Sequence, residues 1–578
     1  MLKPARILAG LLLALALTAA LPAQSTAGNP LWWKNAVLYE IYPRSFQDSN
    51  GDGIGDLNGI TSRLDYLQKL GVNAVWLTPI YPSPQVDFGY DISNYQAIDS
   101  QYGTMADFDR LVAEARKRHI GIIMDLVLNH TSDQHPWFKE SESSRTNPKA
   151  DWYMWRDPKI VNGHREPPNN WISLFGGSAW QWDPARQQYY YHRFYIQQPD
   201  LNWSNPQVRE AMYNVVRFWI HKGVAGFRLD AITALFEDPQ DRNEPYVLGA
   251  NGKPVIDAYG DREVTSIYTD NLPQVHDVLR QLRQVVEQAG GNRIVLIGET
   301  YLPSVADLRK MYGPHDDELQ LPMDMQVGFI NKFDTALFRR RIDDAETKID
   351  GNMPLFVFDN HDNPRWDRYV TADHKDDVGR VLATILFASR DTALMYYGDA
   401  IGMVTTPPKT KAEVRDPIGI RGWPKEKGRD GERTPMQWNA GRDAGFSTAA
   451  TTWLPIPPSY TTVNVAVEQR NPDSMLSWYE QIVALKEHDP ALHAGEEIML
   501  NPTDPHVFSW LRRAPNGEAV VVACNFTPQP QTISFNLKPQ GISHFHVRTL
   551  LKTPGAPDPL SLDLVQLGPY GVYIGRVE

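Results

Sequence analysis

The sequence predicts an α/β fold: a closed (β/α)8 TIM barrel with an inserted small domain after strand 3 and a C-terminal antiparallel β-sandwich. Three observations predict it. From about residue 35, eight short β-rich segments alternate with amphipathic stretches; one connection is too long for a loop; and the last ninety or so residues alternate with period two. Eight strand–helix units is the number in a closed barrel. An open doubly wound sheet is the alternative, but no Gly-rich phosphate-binding sequence follows the first segment.

The N-terminus has the layout of a secretory signal peptide over residues 1–23. Lys3 and Arg6 precede an apolar run over 7–17, and small residues follow around 19–23. An uncleaved anchor is the alternative, but the run is shorter than the ~20 residues that a membrane span needs. We therefore expect export to the periplasm or the medium and no membrane span in the mature chain.

The amino-acid composition limits the classes of function that the protein can have. The 578 residues are 42% hydrophobic and include 17 Trp, 25 Tyr and 20 Phe, which is enough for several domains with a large core. The net charge of −12 and the lack of a Lys/Arg run argue against nucleic acid, because phosphate binding needs a concentrated basic face. The single cysteine, Cys524, can form no internal disulfide, so the fold does not depend on oxidation.

The eight predicted barrel strands occupy residues 29–130 and 203–488. Amphipathic stretches such as the one from Met105 separate most of them. The strands begin in AVLYEIYP at Ala36, AVWLTPI at Ala74, IGIIMDLVLNH at Ile120, AGFRLDAI at Ala225, RIVLIGET at Arg293, LQLPMDM at Leu319, MPLFVFDNHD at Met353 and ALMYYGD at Ala393.

Two segments lie outside this alternation. Residues 131–202 show no clear helix and are rich in Trp, Pro, Asn and Gly. A structureless loop of that size is uncommon, so the segment is interpreted as a small inserted domain. Residues 489–578 contain the alternating runs HVFSWLRR, AVVVACNF and TISFNL, which predict the terminal β-sandwich.

Polar side chains follow several of these strands. The stretch FVFDNHDNPR, residues 356–365, runs from an apolar strand into Asp and His side chains, and an Asp buried without a partner costs several kcal/mol. Taken alone, this stretch fits a turn and an active site equally. In a barrel, however, the carboxyl ends of all strands meet at one face. Four strands end in charged, amide or imidazole groups there: Asp125, Asn129 and His130; Arg228 and Asp230; Glu299; His361 and Asp362.

Convergence on one pocket explains these strand ends better than turn chemistry does. A strand has period two, so Arg228 and Asp230 point the same way, into the mouth of the barrel. The segments DLVLNH, GFRLDAI, IGET and FDNHD, in this order, resemble the four signature regions of glycoside hydrolase family 13, the α-amylase family. The resemblance covers nearly the whole mature chain. QPDLN, DSNGDGIGDLNGI and RTPMQW resemble its oligo-1,6-glucosidase, α-glucosidase and trehalose synthase branch.

The resemblance implies retaining cleavage of α-glycosidic bonds, which needs two carboxyls about 5–5.5 Å apart. Asp230 matches the nucleophile, and Arg228 beside it would hold it ionised. Glu299 matches the general acid/base, whose pKa should be raised by burial and a neighbouring negative charge. Asp362 matches the third carboxylate, which clamps sugar hydroxyls and distorts the ring.

The resemblance also implies a pocket that ends at the non-reducing glucose. Asp87 would grip the terminal hydroxyls, Tyr90 would stack on the ring, and Arg433 would pair with Asp87 as a rigid fork. His130 and His361 would donate to hydroxyls of the same glucose; either alone would be read as a packing residue.

Three further residues concern the pocket entrance and the linkage. Phe175 and Phe194 match aromatics that line the entrance, with packing of the inserted domain as the alternative. Ala231 follows the nucleophile. In the resembling branch, Val at this position goes with α-1,6 cleavage and a smaller residue with α-1,4 cleavage, so α-1,4 is favoured.

The loop DSNGDGIGD offers hard oxygen ligands at alternating positions, which suits calcium. Gly59 stands where an EF-hand places its bidentate Glu, so the loop is not an EF-hand. The resemblance implies a structural Ca²⁺, with Mg²⁺ in some members; simple Asx turns are the alternative. The ligands would be Asp48, Asn50, Asp52, the carbonyl of Ile54, and Asp56.

We therefore expect an exo-acting retaining α-glucosidase that releases glucose from short α-glucosides, with α-1,4 linkages favoured and glucosyl transfer as a side reaction. The alternatives within the family are an oligo-1,6-glucosidase and a transferase or isomerase acting on sucrose or trehalose. A non-enzymatic amylase-like binding protein is the alternative from another class. Such proteins lose catalytic carboxylates and keep a membrane span, whereas this chain has all three carboxylates and no span. The sequence leaves the oligomeric state open.

Overall fold

The computed structural model describes residues 31–369, 372–543 and 546–578, so the predicted signal peptide lies outside the described residues. Eight strands form the barrel, and each begins within two residues of its predicted start. They are β1 (Val37–Ile41), β2 (Ala74–Leu77), β3 (Gly121–Val127), β4 (Gly226–Asp230), β5 (Val295–Gly298), β6 (Leu321–Asp324), β7 (Leu355–Phe356) and β8 (Ala393–Tyr396).

The strands pair in parallel in the order β7-β6-β5-β4-β3-β2-β1-β8. A backbone hydrogen bond of 3.0 Å from Thr392 to Pro354 joins the starts of β8 and β7 and completes the ring. In the register between β3 and β4, Asp125 lies opposite Arg228. Apolar side chains such as Trp76 and Ile123 fill the barrel interior beneath this level, so the polar groups collect at one end.

Helices follow the strands and cover the outside of the barrel. The helix Met105–Lys117 begins with a capping box in which Thr104 and Asp107 each accept the other's backbone N–H. The other outer helices are Leu57–Ser62, Leu64–Lys69, Pro206–His221, Gln274–Gly290, Val305–Lys310, Thr335–Lys348, Lys375–Ala388 and Met475–His488. Shorter helices are Pro43–Phe46, Pro136–Ser143, Pro417–Gly422, Val465–Glu468 and Pro490–Ala494. Single turns of 3-10 helix are Ile232–Ala234, Trp366–Tyr369, Ala372–His374, Asp399–Ile401, Lys411–Glu413, Arg442–Gly445, Pro458–Thr461 and Lys538–Gln540.

The segment after β3 contains two small antiparallel sheets. Trp155–Arg156, Gln188–Tyr191 and Trp180–Asp183 form one, and Lys159–Val161 with His164–Glu166 form the other. The segment also contains the helix Pro136–Ser143, which the sequence analysis missed. Its eight residues are too few for a helical period to be visible, and it starts from Pro136 and a cap in which His135 accepts the N–H of Trp137.

The C-terminal residues form the predicted sandwich. A five-stranded antiparallel sheet has the order Glu496–Leu500, Val507–Arg513, Ala519–Asn525, Val572–Val577 and Val547–Lys552. A two-stranded sheet, Gln531–Ile533 with Val565–Leu567, packs on it through a shared apolar core. Cys524 is fully buried on the opposite face of the five-stranded sheet, in the core that continues from the barrel, and burial raises the pKa of its thiol, which fits an inert packing role. In the described parts of the chain, every helix is too short or too polar to span a bilayer.

Candidate active site

A cavity of about 420 Å³ opens at the carboxyl ends of the barrel strands, beside the inserted domain. Nine of the predicted site residues line it: Asp87, Tyr90, His130, Phe175, Phe194, Asp230, Ala231, Glu299 and Asp362. Three others, Arg228, His361 and Arg433, are fully buried behind its wall. The structure thus brings the predicted catalytic and sugar-binding residues together at one end of the barrel.

Arg228 is the centre of the carboxylate cluster. Its Nη1 lies 2.7 Å from Oδ1 of Asp230 and 3.1 Å from each carboxylate oxygen of Asp125, and its Nη2 lies 2.5 Å from Oε1 of Glu299. The pleat of β4 sets this arrangement, because residues 228 and 230 project from the same face of the strand. One buried guanidinium therefore fixes both groups of the predicted catalytic pair.

Burial raises the pKa of both predicted catalytic carboxyls. Burial raises the pKa of Asp230 to about 7, although Arg228 acts against the shift. Burial likewise raises the pKa of Glu299 to about 7. The expectation that Arg228 holds Asp230 ionised is therefore only half right: the contact is present, but burial outweighs it. Two carboxyls with raised pKa values beside one cation favour a state in which one is protonated and the other is ionised. A nucleophile and a general acid require this state.

Ala231 connects Asp230, which precedes it, to Glu299. Its backbone N–H donates to Oε2 of Glu299 at 2.9 Å. The residue has φ 45° and ψ 36°, the left-handed conformation that a non-glycine residue adopts at a cost of roughly 1–3 kcal/mol. This strained turn ends β4 immediately after Asp230 and directs an N–H to the neighbouring carboxyl.

Asp362 is held as a carboxylate. Oδ1 accepts hydrogen bonds from Arg429 at 2.9 Å and Arg433 at 2.7 Å, and Oδ2 lies 3.2 Å from Nε2 of His361. Burial acts to raise the pKa of Asp362, but the imidazole and the two guanidiniums outweigh it and hold the pKa well below its usual range. A fixed negative charge therefore faces the cavity at every working pH.

The predicted pairing of Arg433 with Asp87 is wrong. Arg433 instead donates from Nε to the backbone carbonyl of His361 at 2.7 Å and from Nη2 to Asp362. The partner of Asp87 is Arg429, whose Nη2 lies 2.8 Å from Oδ1 of Asp87, while Asp416 braces the same guanidinium from behind at 2.8 Å. Arg429 stands four residues before Arg433 in an irregular segment, where no strand or helix period indicates which way a side chain points.

The imidazoles and Tyr90 form the inner wall. The ring of Tyr90 is stacked on His361, with centroids 5.4 Å apart, so this face is already covered by protein. Nε2 of His130 lies 3.1 Å from the carbonyl of Tyr90. Burial lowers the pKa of His130 to about 3 and that of His361 well below its usual range, so both rings are neutral. They add no charge to the wall. His130 lines the cavity, whereas His361 is buried behind it, with its Nε2 2.6 Å from the Tyr90 hydroxyl.

Both phenylalanines line the cavity and also pack against other rings. Phe175 and Phe194 are 5.5 Å apart between centroids, and Phe194 is 5.1 Å from His130. The Arg429 guanidinium lies 5.6 Å from the Phe175 centroid. Phe175 and Phe194 therefore both line the cavity entrance and pack against other rings.

The loop predicted to bind a metal is closed by its own hydrogen bonds. Asp48, Asn50, Asp52 and Asp56 each accept backbone N–H groups within two to five residues, as in Asx turns. Among residues 31–369, 372–543 and 546–578, no three His, Cys, Asp or Glu side chains converge as metal ligands. A cation in this loop would thus need the amide of Asn50 and the carbonyl of Ile54 beside the carboxylates, a donor set of hard oxygens that suits Ca²⁺.

Comparison with known proteins agrees with this geometry. Residues 40–495 match the model of the α-amylase catalytic domain. The chain is 41% identical over 521 residues to a probable alpha-glucosidase of Rhizobium meliloti strain 1021, with 88% of this chain and 91% of that protein covered. It is 38% identical over 558 residues to an oligo-1,6-glucosidase of Parageobacillus thermoglucosidasius, with 89% and 95% covered.

Among solved structures, the alpha-glucosyl transfer enzyme XgtA superposes with a TM-score of 0.85 at 36% identity, covering 95% of this chain and 99% of that one. The match of the family model spans both halves of the barrel, the inserted domain and every carboxylate of the site. The chain therefore belongs to the α-amylase family of glycoside hydrolases.

Proposed function

We propose that the protein is an exo-acting, retaining α-glucosidase that releases glucose from the non-reducing end of short α-1,4-linked glucosides. The closed inner end of the cavity carries this proposal. Asp87 and Tyr90 there are 4% and 6% exposed, whereas Leu174 and Tyr301 at the opening are 51% and 41% exposed. A pocket that deepens in one direction accepts the end of a chain and leaves no path for the chain to continue.

The arrangement supports a two-step displacement through a covalent glucosyl-enzyme. Oδ1 of Asp230 is engaged by Arg228, so Oδ2 is the oxygen that attacks the anomeric carbon. Glu299 gives its proton to the leaving oxygen and then takes one from the incoming water. Asp362, held ionised by two guanidiniums, faces the positive charge that develops on the sugar ring.

Three observations bear on the linkage and the acceptor. Ala231 presents a single methyl group beside the reacting pair, which leaves room for the α-1,4 geometry that the sequence favours. Cleavage of α-1,6 bonds is the alternative, supported by the similarity to an oligo-1,6-glucosidase, and glucosyl transfer is supported by the similarity to XgtA. Cleavage of α-1,4 bonds, cleavage of α-1,6 bonds and glucosyl transfer all use the same covalent glucosyl-enzyme. They differ in the leaving group and in the acceptor.

Initial rates on maltose, isomaltose, sucrose and trehalose, together with NMR of the first-formed anomer, test the proposal. We expect maltose to have the highest kcat/KM and α-glucose to appear first. First release of β-glucose would overturn the retaining mechanism. A preference for isomaltose would overturn the α-1,4 assignment, and rearrangement of sucrose or trehalose without net hydrolysis would identify an isomerase.

We also propose that the loop from Asp48 to Asp56 binds a structural Ca²⁺, with Mg²⁺ as the alternative. The alternating hard oxygens support this, and Asp56 would have to share its carboxylate with the helix Leu57–Ser62 that it caps. A cation bound only by the folded state raises the melting temperature by mass action. Chelation should therefore lower the melting temperature and Ca²⁺ should restore it. An unchanged melting temperature in a chelated sample that contains no metal would leave only the turn interpretation.

Export is a proposal that rests on the charged, apolar and small residues of 1–23. Expression of the full chain followed by cell fractionation and N-terminal sequencing tests it. We expect a mature chain that begins near residue 24, in the periplasm or the medium. A chain that keeps its first residues and stays in the cytoplasm would contradict export.

A further inference from the structure

Glu40 is a buried carboxyl behind the glucose end of the cavity, and the mechanism above does not use it. It lies in β1 and is 0% exposed. Its Oε1 is 2.6 Å from Nδ1 of His361 and 3.3 Å from the backbone N of the same residue, while Oε2 has no hydrogen-bond partner in the described structure. Its hydrogen bonds therefore go to His361 alone.

A series of hydrogen bonds runs from Nε2 of His361 through the Tyr90 hydroxyl to Asp125. The contacts of Asp125 show which atom donates in each of these hydrogen bonds. Oδ2 of Asp125 accepts hydrogen bonds from the indole N–H of Trp76 and from Arg228, both at 3.1 Å. The hydroxyl of Tyr90 is also 3.1 Å from this oxygen. Asp125 is thus an acceptor to its neighbours, and Tyr90 donates to it. The opposite direction would place a hydroxyl lone pair against a carboxylate oxygen.

This direction fixes the proton of His361. The hydroxyl oxygen of Tyr90 is 2.6 Å from Nε2 of His361. The hydroxyl proton of Tyr90 is directed to Asp125, so the hydroxyl oxygen accepts a hydrogen bond from His361. Nε2 of His361 therefore carries a proton. His361 is neutral, since burial and the nearby guanidiniums lower its pKa. Its Nδ1 is therefore the unprotonated nitrogen, and the proton of the 2.6 Å contact belongs to Glu40.

Resting on the proposed glucosidase function, we infer that Glu40 is a positioning residue whose protonated carboxyl donates to Nδ1 of His361 and so holds the Nε2–H tautomer at the sugar-binding wall. With this tautomer, His361 presents a donor beside Asp362, which lies 3.2 Å from Nε2. A histidine in the other tautomer would turn a lone pair toward the carboxylate of Asp362, which lines the cavity.

The surroundings of Glu40 favour its protonated form. The charged and titratable groups that face it are Arg228 and Asp125 across the barrel, His361 and Asp362 on the β7 side, and Tyr396 of β8. The one cation among them, Arg228, is already shared by Asp125, Asp230 and Glu299. A buried carboxylate without its own cation is costly, so burial raises the pKa of Glu40 well above its ordinary value.

Two substitutions of Glu40 test the inference. Glu40→Gln places an N–H donor where the acid proton lies, and Glu40→Leu keeps the volume without a donor. We expect Glu40→Gln to keep kcat/KM for maltose within threefold of the parent, with the same pH profile between pH 5 and 9. We expect Glu40→Leu to lose at least tenfold, mainly through KM, because His361 contacts Tyr90 and Asp362, which line the cavity that would hold the sugar.

Asp324→Asn is the matched control. Asp324 is a 0% exposed carboxyl of β6 with one oxygen unpartnered, and it lies outside the site.

Melting temperatures of the variants show whether a loss of activity comes from a loss of folded protein. A tenfold loss in Glu40→Gln that Asp324→Asn does not share would overturn the inference, because it would mean that the carboxylate is required. Full activity in a folded Glu40→Leu would also overturn it. If Glu40→Leu does not fold, the Glu40→Gln pH profile decides. A parent that hydrolyses no α-glucoside would refute the proposed function instead.

Discussion

Nη2 of Arg429 lies 2.8 Å from Oδ1 of Asp87, a contact between residues 342 positions apart in the sequence. The same guanidinium binds Asp362 at 2.9 Å and is braced by Asp416. The group that closes the inner end of the pocket is thus also bound to a carboxylate that faces the reacting sugar. Asp87 at the inner end of the pocket and Asp362 near the predicted catalytic pair thus share one cation that lines the cavity.

Arg429→Ala should abolish most activity. Removing one partner of a buried ion pair costs about 3–5 kcal/mol, because the other charges stay behind uncompensated. We expect kcat/KM for maltose to fall at least a hundredfold, and Arg429→Lys to recover only part of it because an ammonium cannot bridge three carboxylates. Arg415→Ala is the control, since Arg415 is exposed on the same segment. Activity of Arg429→Ala within threefold of the parent would contradict the role assigned here.

Glu299→Gln should affect substrates according to their leaving groups. General acid catalysis contributes roughly 10²–10⁴-fold, and a good leaving group needs little of it. We expect maltose hydrolysis to fall by about this factor, while the first step with p-nitrophenyl α-glucoside, measured as a burst, falls far less. Equal losses for both substrates would mean that Glu299 does not protonate the leaving oxygen.

The contribution of Asp230 and Glu299 to the stability of the fold should decrease as the pH rises toward neutrality. The folded-state pKa values of Asp230 and Glu299 are both raised to about 7, above their ordinary values of 3.8 and 4.5. The folded state therefore binds more protons than the unfolded state between these limits. The stabilisation is complete below the ordinary values and is lost as the pH rises through about 7.

Thermal unfolding at pH 5 and pH 8 measures this effect. Glu299→Gln removes a carboxylate that is costly only when ionised, so it should raise the melting temperature at pH 8 more than at pH 5. Glu263→Gln, at an exposed position, is the control and should shift both equally. An identical shift at the two pH values for Glu299→Gln would show that its carboxyl does not destabilise the fold at high pH.

Substitutions of Ala231 should separate backbone strain from linkage preference. Glycine adopts the left-handed conformation freely, so Ala231→Gly should keep or raise the melting temperature, whereas the β-branched Ala231→Val should lower it. Pocket shape changes of this size are worth ~1–3 kcal/mol in discrimination. We expect Ala231→Val to shift the kcat/KM ratio from maltose toward isomaltose. If both substrates slow by the same factor, the position carries no linkage information.

The regular elements and the site on them could be predicted because each obeys a short period. Strand starts were readable from apolar runs, and the shared face of Arg228 and Asp230 followed from the period of β4. Glu40 lies within a predicted strand but was not singled out from the sequence, because its partner His361 is more than 300 residues away. Arg429 could not be placed, because the side-chain direction in an irregular segment depends on tertiary contacts.

The ionisation states could be predicted only in part. A raised pKa for Glu299 followed from its expected burial, and the structure confirms the direction. The raised pKa of Asp230 could not be predicted. The direction of its shift depends on how close the Arg228 guanidinium lies to each of three carboxyls, and no sequence pattern gives those distances.

The position of Arg429 joins two properties that natural selection would otherwise act on independently. The predicted catalytic carboxylates Asp230 and Glu299 stand on or just after barrel strands, whereas Arg429 and Asp416 belong to the long segment between β8 and the helix Met475–His488. Exchange or shortening of that segment would open the inner wall, but it would also remove the guanidiniums that bind Asp362. A lineage that passes from trimming chain ends to cutting within chains would therefore have to supply Asp362 with new cations.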